Sequence, residues 1–291
     1  MVTWFDHHAI TLVNGVSEGL LIYLTAAGLT LIFGLLDVLN LAHGVAYLFG
    51  SYVAYQLAAH GGFGVAIVAA LVVGGALGGG LNLSIVPLRK RGHLDQALLT
   101  IGGAFVLAGV ATSVWGFGYH TVNPPAFLSG SVGILGHPFP DYRLAVIGVG
   151  LVVAGAMGLV MTRTPAGRVV QAVVADREIA SAIGVDVRKV SSLVFMAGTA
   201  LATFAGVVGA PVIGVNPTIG DQVLLLALVV TVIGGLGSLR GAFIGALVIG
   251  EVQSLGSDLV PAVAGFLVFA TMAVVLIVRP QGLFGVEQLQ R

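Results

Sequence analysis

Between residues 11 and 279 the chain is a succession of apolar runs, each close to the length that crosses a lipid bilayer and each closed by a short polar break. A hydrocarbon core of about 30 Å needs about 20 helical residues, and backbone amides inside it must find partners within the chain. Runs near 11–36, 41–59, 63–86, 94–115, 143–162, 190–213, 219–237, 241–257 and 259–279 meet this requirement. The last three are short or interrupted by glycine, so the count stands at eight to nine. Strands of a lipid-facing barrel would alternate over about ten residues, and these runs do not. The expectation is an all-α, polytopic transmembrane helix bundle forming a single domain over 1–291. Only 8% of the residues are charged, too few to cover a soluble fold of this length. The 44 glycines suit helices that approach closely through small residues.

Basic residues set the expected orientation. Arg89, Lys90, Arg91, Arg163, Arg168, Arg177, Arg188, Lys189, Arg240, Arg279 and Arg291 all fall on one side if nine runs cross; Arg143, beside Asp141, is the exception. That side is expected to be cytoplasmic, with the N-terminus outside and the C-terminus inside. Eight spans would break the agreement. The start, "MVTWFDHHAI", lacks the positive leader of a cleavable signal, so the first run is expected to remain as a span. Two connections exceed a turn. The outer loop, 116–142, is rich in Gly, Pro and aromatics. The inner segment, 163–189, is Ala-rich and helical in pattern, and "GVDVRK" breaks and restarts it.

Several chemistries are excluded. Neither Lys90 nor Lys189 sits in a GxxxxGK[ST] loop, HExxH is absent, and without cysteine there is no thiolate chemistry or Cys-ligated metal. His43 and Ser51 could share a helix face, but eight helical residues part them by about 12 Å, too far for a nucleophile and its base.

The stretch "GLLDVLNLAHGVAYLFG" (34–50) places Asp37, Asn40 and His43 in an otherwise apolar region. Asp37 falls at the inner end of the first span. Asn40 and His43 are i and i+3, on one helical face. They either cross-link helices or line a solute path, since intramembrane polar groups face protein or water. Asp221, Gln222 and Glu251 raise the same question. "TLIFGLL" (30–36) and "TVIGGLG" (231–237) form a faint internal echo of the kind found in transporters built from repeats.

"GLTLIFGLLDVLNLAHGVAYLFGSYVA" resembles the N-terminal hallmark of the branched-chain amino acid ABC importer permeases, the smaller of their two membrane subunits. "PLRKRGHLDQALLTIG", "VVADREIASAIGVDVRKVSSLVFMAGTALATFAGVV", "VIGGLGSLRGAFIGALVIG" and "RPQGLFG" extend the likeness in order from about residue 15 to 286. The resemblance implies a permease of the bacterial inner membrane that is not itself an enzyme. It implies a related second permease, two cytoplasmic ATPase subunits that hold the ATP and magnesium, and an external solute-binding protein. No cofactor is expected in this chain. In "REIASAIG" it implies a coupling helix carried by Arg177, Glu178, Ala180 and Gly184, with Ile179 where Ala is usual. Asn40, His43 and Glu251 are the expected pathway residues. The family leaves the solute open among branched-chain amino acids, urea or amides, sugars and aromatic acids. An autonomous channel or ion-coupled carrier is the reading outside the family, and the inner helix argues against it.

Overall fold

A computed structural model describes residues 2–36, 40–90, 93–134 and 136–285; Asp37, Arg91 and Arg291 lie outside them. Among the described residues the chain forms ten α-helices: α1 (Val2–Leu36), α2 (His43–Ile85), α3 (His93–Trp115), α4 (Asp141–Arg163), α5 (Pro165–Ala175), α6 (Arg177–Ala182), α7 (Val187–Ile213), α8 (Ile219–Gly234), α9 (Leu239–Leu259) and α10 (Ala264–Val278). Seven helical segments among the described residues are long and apolar enough to cross a membrane, and α8 is a shorter apolar helix. The loop 116–142 departs from the all-α expectation. It folds as a small antiparallel hairpin, β1 (Ser131–Ile134) on β2 (His137–Pro140), and His120 pairs with Val215 beside it.

The polar breaks gather at one end of the bundle. Gly34 lies against Gly237, the Leu283 amide donates to the Ile233 carbonyl, and Val173 and Ala180 pack with Ile32, Ile85, Val194 and Phe195. This is the basic end. The hairpin and the 214–218 turn mark the opposite, hairpin end, where the Thr11 hydroxyl donates to Asp258 (3.1 Å). The two termini of the described chain thus lie at opposite ends.

Glycine packs the helices backbone to backbone. A methyl at Gly198 would stand 2.7 Å from the Gly28 carbonyl oxygen, and one at Gly34 would stand 2.6 Å from the Gly237 Cα. The echoed segments are also neighbours: Thr30 Oγ1 and Thr231 Oγ1 are 3.3 Å apart, buried between α1 and α8.

Helix α2 is where hydropathy misleads. The continuous stretch His43–Leu88 has 46 residues, about 69 Å if straight. Gly62 interrupts it with φ 81° and ψ 163°, a conformation that glycine alone adopts without strain. Gly50 and Gly74 both lie against Thr203 of α7. On a straight helix they would be about 36 Å apart, so the two halves fold back on each other at Gly62. The first half, 43–61, is expected from the sequence to begin a span at the basic end; instead it starts inside the bundle. His43 contacts Gly28 of α1, which is about 12 Å along the helix from Leu36.

Candidate functional site

A helix that starts inside an apolar bundle leaves its first amides without water. The "DVLNLAHG" polar group supplies partners. The Asn40 side-chain oxygen accepts from the Ala42 amide (3.2 Å), its carbonyl accepts from the His43 amide (3.2 Å), and Thr100 Oγ1 of α3 accepts from the Leu41 amide (3.3 Å). His43 is fully buried, and its Nε2 lies 3.0 Å from the Thr25 carbonyl of α1. A carbonyl only accepts, so Nε2 carries the proton in this bond and Nδ1 is the bare nitrogen. Both residues therefore anchor the buried start of α2. Asn40 Nδ2 and His43 Nδ1 have no hydrogen-bond partner among the described residues.

One turn on, at i+4 from His43, the Tyr47 side chain is 1% exposed and its hydroxyl is likewise unpartnered. Tyr47 lines a cavity of about 270 Å³ in the hairpin-end half of the bundle. Glu18, Leu21 and Ile22 of α1, Arg143 of α4, Gln222 and Leu226 of α8 and Gln253 of α9 contribute to its walls. Arg143 bridges Glu18 at 3.5 Å and donates to the Asn14 side chain at 2.9 Å. Glu251 turns toward α1, its carboxyl against Gly15 and near enough to Glu18 for their charges to interact. It therefore belongs with the Glu18–Arg143 pair, away from Asn40 and His43. A larger cavity of about 780 Å³ lies beneath the 121–128 segment; its walls, among them Phe63, Phe127 and Val149, are chiefly apolar.

At the basic end the 163–189 segment forms two helices instead of one. Thr164 caps α5 by accepting from the Gly167 amide (3.1 Å), with Pro165 at the first helical position, where its missing amide costs nothing. Asp176 breaks the run and caps α6, accepting from the amides of Glu178 (2.8 Å) and Ile179 (2.9 Å). Gly184, with φ 93°, ends α6. The Val185 amide donates to the Ala180 carbonyl and the Gly184 amide to the Ser181 carbonyl, each at 3.0 Å, the pairing of a left-handed helix stop. Ala180 is 1% exposed and seats α6 on the bundle, whereas Ile179 and Ile183 are 62% and 72% exposed. Arg177, Glu178, Ser181 and Ala182 edge a shallow groove that continues to Arg188.

Sequence reasoning passed over Glu18, Tyr47 and Gln253, and noted Arg143 only as a charge out of place. Glu18 lies within an apolar run, one turn from Asn14, which was the available signal. Its pairing with Arg143, 125 positions away, is written nowhere in the local pattern.

The family model described as "Branched-chain amino acid transport system / permease component" matches residues 11–276. The chain belongs to this family. It is a membrane permease component and not an enzyme. It is 28% identical to the high-affinity branched-chain amino acid transport system permease protein BraD of Pseudomonas aeruginosa, covering 98% of each chain. It is 29% identical to LivH of Escherichia coli K12, covering 96% of each. A probable LivH of Methanocaldococcus jannaschii is 29% identical over 93% of this permease and 92% of that protein. A solved structure of PsaBC from Streptococcus pneumoniae in complex with Fab superimposes with a TM-score of 0.49 at 15% identity, over 91% of the permease and 89% of that chain.

Proposed function

We propose that this permease is the translocating subunit of an ATP-driven importer of branched-chain amino acids in the bacterial inner membrane. The observation that carries the reading is the end-to-end match to permeases of high-affinity branched-chain amino acid transport. The basic end faces the cytoplasm and the hairpin end faces outward, in keeping with the positive-inside rule. In this arrangement α1, the second half of α2, α3, α4 and α7 to α10 pass between the two faces, and the first half of α2 is a ninth, partial crossing.

The partners are a second related permease, two ATPase subunits that hold ATP and magnesium, and an external solute-binding protein. Helices α5 and α6 form the surface that the ATPase grips. Ile179 and Ile183, one turn apart, offer it an apolar face, with Arg177 and Glu178 at the rim and Ala180 holding the helix to the bundle. Asn40 and His43 hold the inner start of α2 beside the pathway, and Glu251 lies on its outward half. Transport follows alternating access. Docking of the binding protein outside and closure of the ATPases inside each favour a different conformation through contacts made in that conformation alone.

Affinity purification of the permease from gently solubilised membranes tests this reading. It expects two ATPase subunits and a sister permease to come with it, and the reconstituted assembly to accumulate leucine only with ATP and the binding protein. Solute accumulation by this chain alone, without nucleotide, would overturn it.

A further inference from the structure

The Glu18–Arg143 pair borders the cavity instead of being sealed in the bundle. Taking charges out of water is costly, so intramembrane charges pair and face a cavity; these side chains are 29% and 26% exposed and so remain accessible from it. Tyr47 and Gln253, whose hydroxyl and Oε1 are buried and unpartnered among the described residues, line the same cavity, and so does Gln222. The wall is otherwise aliphatic. The cavity thus holds one carboxylate and one guanidinium within 3.5 Å, unsatisfied neutral polar atoms beside them, and an apolar remainder.

We infer that this cavity is the permease's own binding site for the zwitterionic end of an aliphatic α-amino acid, with Arg143 taking the carboxylate and Glu18 the ammonium. An α-amino acid carries its two charges a few ångströms apart on one carbon, matching the separation of Glu18 and Arg143. A guanidinium takes a carboxylate through two parallel bonds, which a lysine cannot reproduce. Tyr47 and Gln253 supply the neutral donors and acceptors that the bound groups still require. Leu21, Ile22 and Leu226 face the side chain of the solute. Such a site selects aliphatic zwitterions by chemistry and not by size alone, so urea and sugars, which lack the charge pair, are poor occupants. The inference rests on the importer reading above and assigns that reading a site.

The test uses the complete importer in membrane vesicles. Glu18→Gln with Arg143→Gln keeps side-chain hydrogen bonding between α1 and α4 but removes both charges. The expected result is a rise in KM for leucine of about tenfold to a hundredfold, with the ATPases still co-isolating. An unchanged KM overturns the site. Because the chain has no cysteine, Gln222→Cys supplies a single reporter thiol. Leucine-loaded binding protein should slow its reaction with a membrane-impermeant methanethiosulfonate about tenfold, and the two charge removals should abolish the slowing. Equal protection with and without the charges overturns the site. Failure of the unaltered importer to accumulate leucine is a different result and removes the importer reading. In that event, slowing of the thiol reaction by another aliphatic zwitterion upholds the site, and slowing by none overturns it.

Discussion

Gly184 separates two accounts of how α6 works. A glycine in a coupling helix can serve as clearance, letting a partner come close, or as a hinge, ending the helix where it must end. The structure favours the second. A methyl placed on Gly184 meets nothing within 4 Å, but its φ is +93°, a conformation that costs an L-residue about 1–2 kcal/mol. The cost falls on the backbone, so it is nearly the same for a small and a large side chain. Gly184→Ala and Gly184→Leu should both weaken the two bonds that close α6, Val185 to Ala180 and Gly184 to Ser181. The ratio of seated to unseated α6 should fall by about 5–30-fold. Asn, which tolerates the left-handed region, should be milder. In proteoliposomes holding the full importer, leucine transported per ATP hydrolysed should drop by up to that factor and to a similar extent for Ala and Leu. Helix content and abundance should be unchanged. Wild-type coupling in Gly184→Ala beside abolished coupling in Gly184→Leu would refute the reasoning, because it would show that space, not backbone conformation, is what the glycine provides.

Ile179→Glu with Ile183→Glu alters two exposed side chains, so bundle stability should shift by no more than about 0.5 kcal/mol, while the ATPases cease to co-purify; normal co-purification would remove these residues from the interface. Gly198→Val would place a branched side chain 2.7 Å from the Gly28 carbonyl and 3.0 Å from Ile32 Cδ1, overpacking worth about 1–3 kcal/mol. The melting temperature of the solubilised permease should fall, while Gly80→Val, where a Cβ meets nothing within 4 Å, should leave it nearly unchanged. The Lys189 amide, hydrogen-bonded to Asp186, and then the Lys189 side chain hold the Asp186 carboxyl below its ordinary 3.8. A depressed carboxylate contributes its stability above the ordinary value and loses it only as pH falls through the lower folded value. Hydrogen-exchange protection of the Lys189 amide should therefore hold at every pH above 3.8 and decline only in stronger acid; decline at higher pH would contradict the cap.

Hydropathy made most of the membrane-crossing elements legible because each must satisfy its own backbone and bury its own length. The run 94–115 is α3 almost to the residue, and the run 190–213 is α7 less its first turn. Hydropathy carries no depth, however. The first half of α2 reads as a span by length although it carries His43, Gln56 and His60, and only its contacts with Gly28 and Thr203 show that it begins inside the bundle. The break between the runs 41–59 and 63–86 does fall at the Gly62 bend. In the inner segment the cap residue Asp176 was a readable signal for two helices, overshadowed by the Ala-rich pattern on both sides. In the structure Ala180 is the residue turned inward, and the larger Ile179 and Ile183 are left exposed. The cavity was least legible, because its charge pair joins α1 to α4 and its orphan hydroxyl comes from α2.

One stripe of α1 connects these features. Glu18, Leu21, Ile22, Thr25, Gly28 and Ile32 recur at three- and four-residue spacing and so lie on one side of the helix. Glu18, Leu21 and Ile22 line the cavity; Thr25 holds His43; Gly28 touches the backbone of Gly198; Ile32 packs in the cluster that seats Ala180. The stripe spans about 21 Å. Contiguity alone does not establish coupling, which requires an element with two arrangements biased from both ends. The contact of Gly28 with Gly198 is backbone to backbone, with the Ile32 and His43 side chains beside it. α6 packs on α5 and α7, and Ala180 shares a cluster with Ile32. The start of α2 is bonded to α1 at Thr25, and Tyr47, one turn beyond His43, stands at the wall of the cavity. Asn40 and His43 therefore work as fasteners: Asn40 anchors the start of α2, whose Tyr47 bounds the cavity, and His43 ties it to α1, whose Ile32 packs in the cluster that seats Ala180.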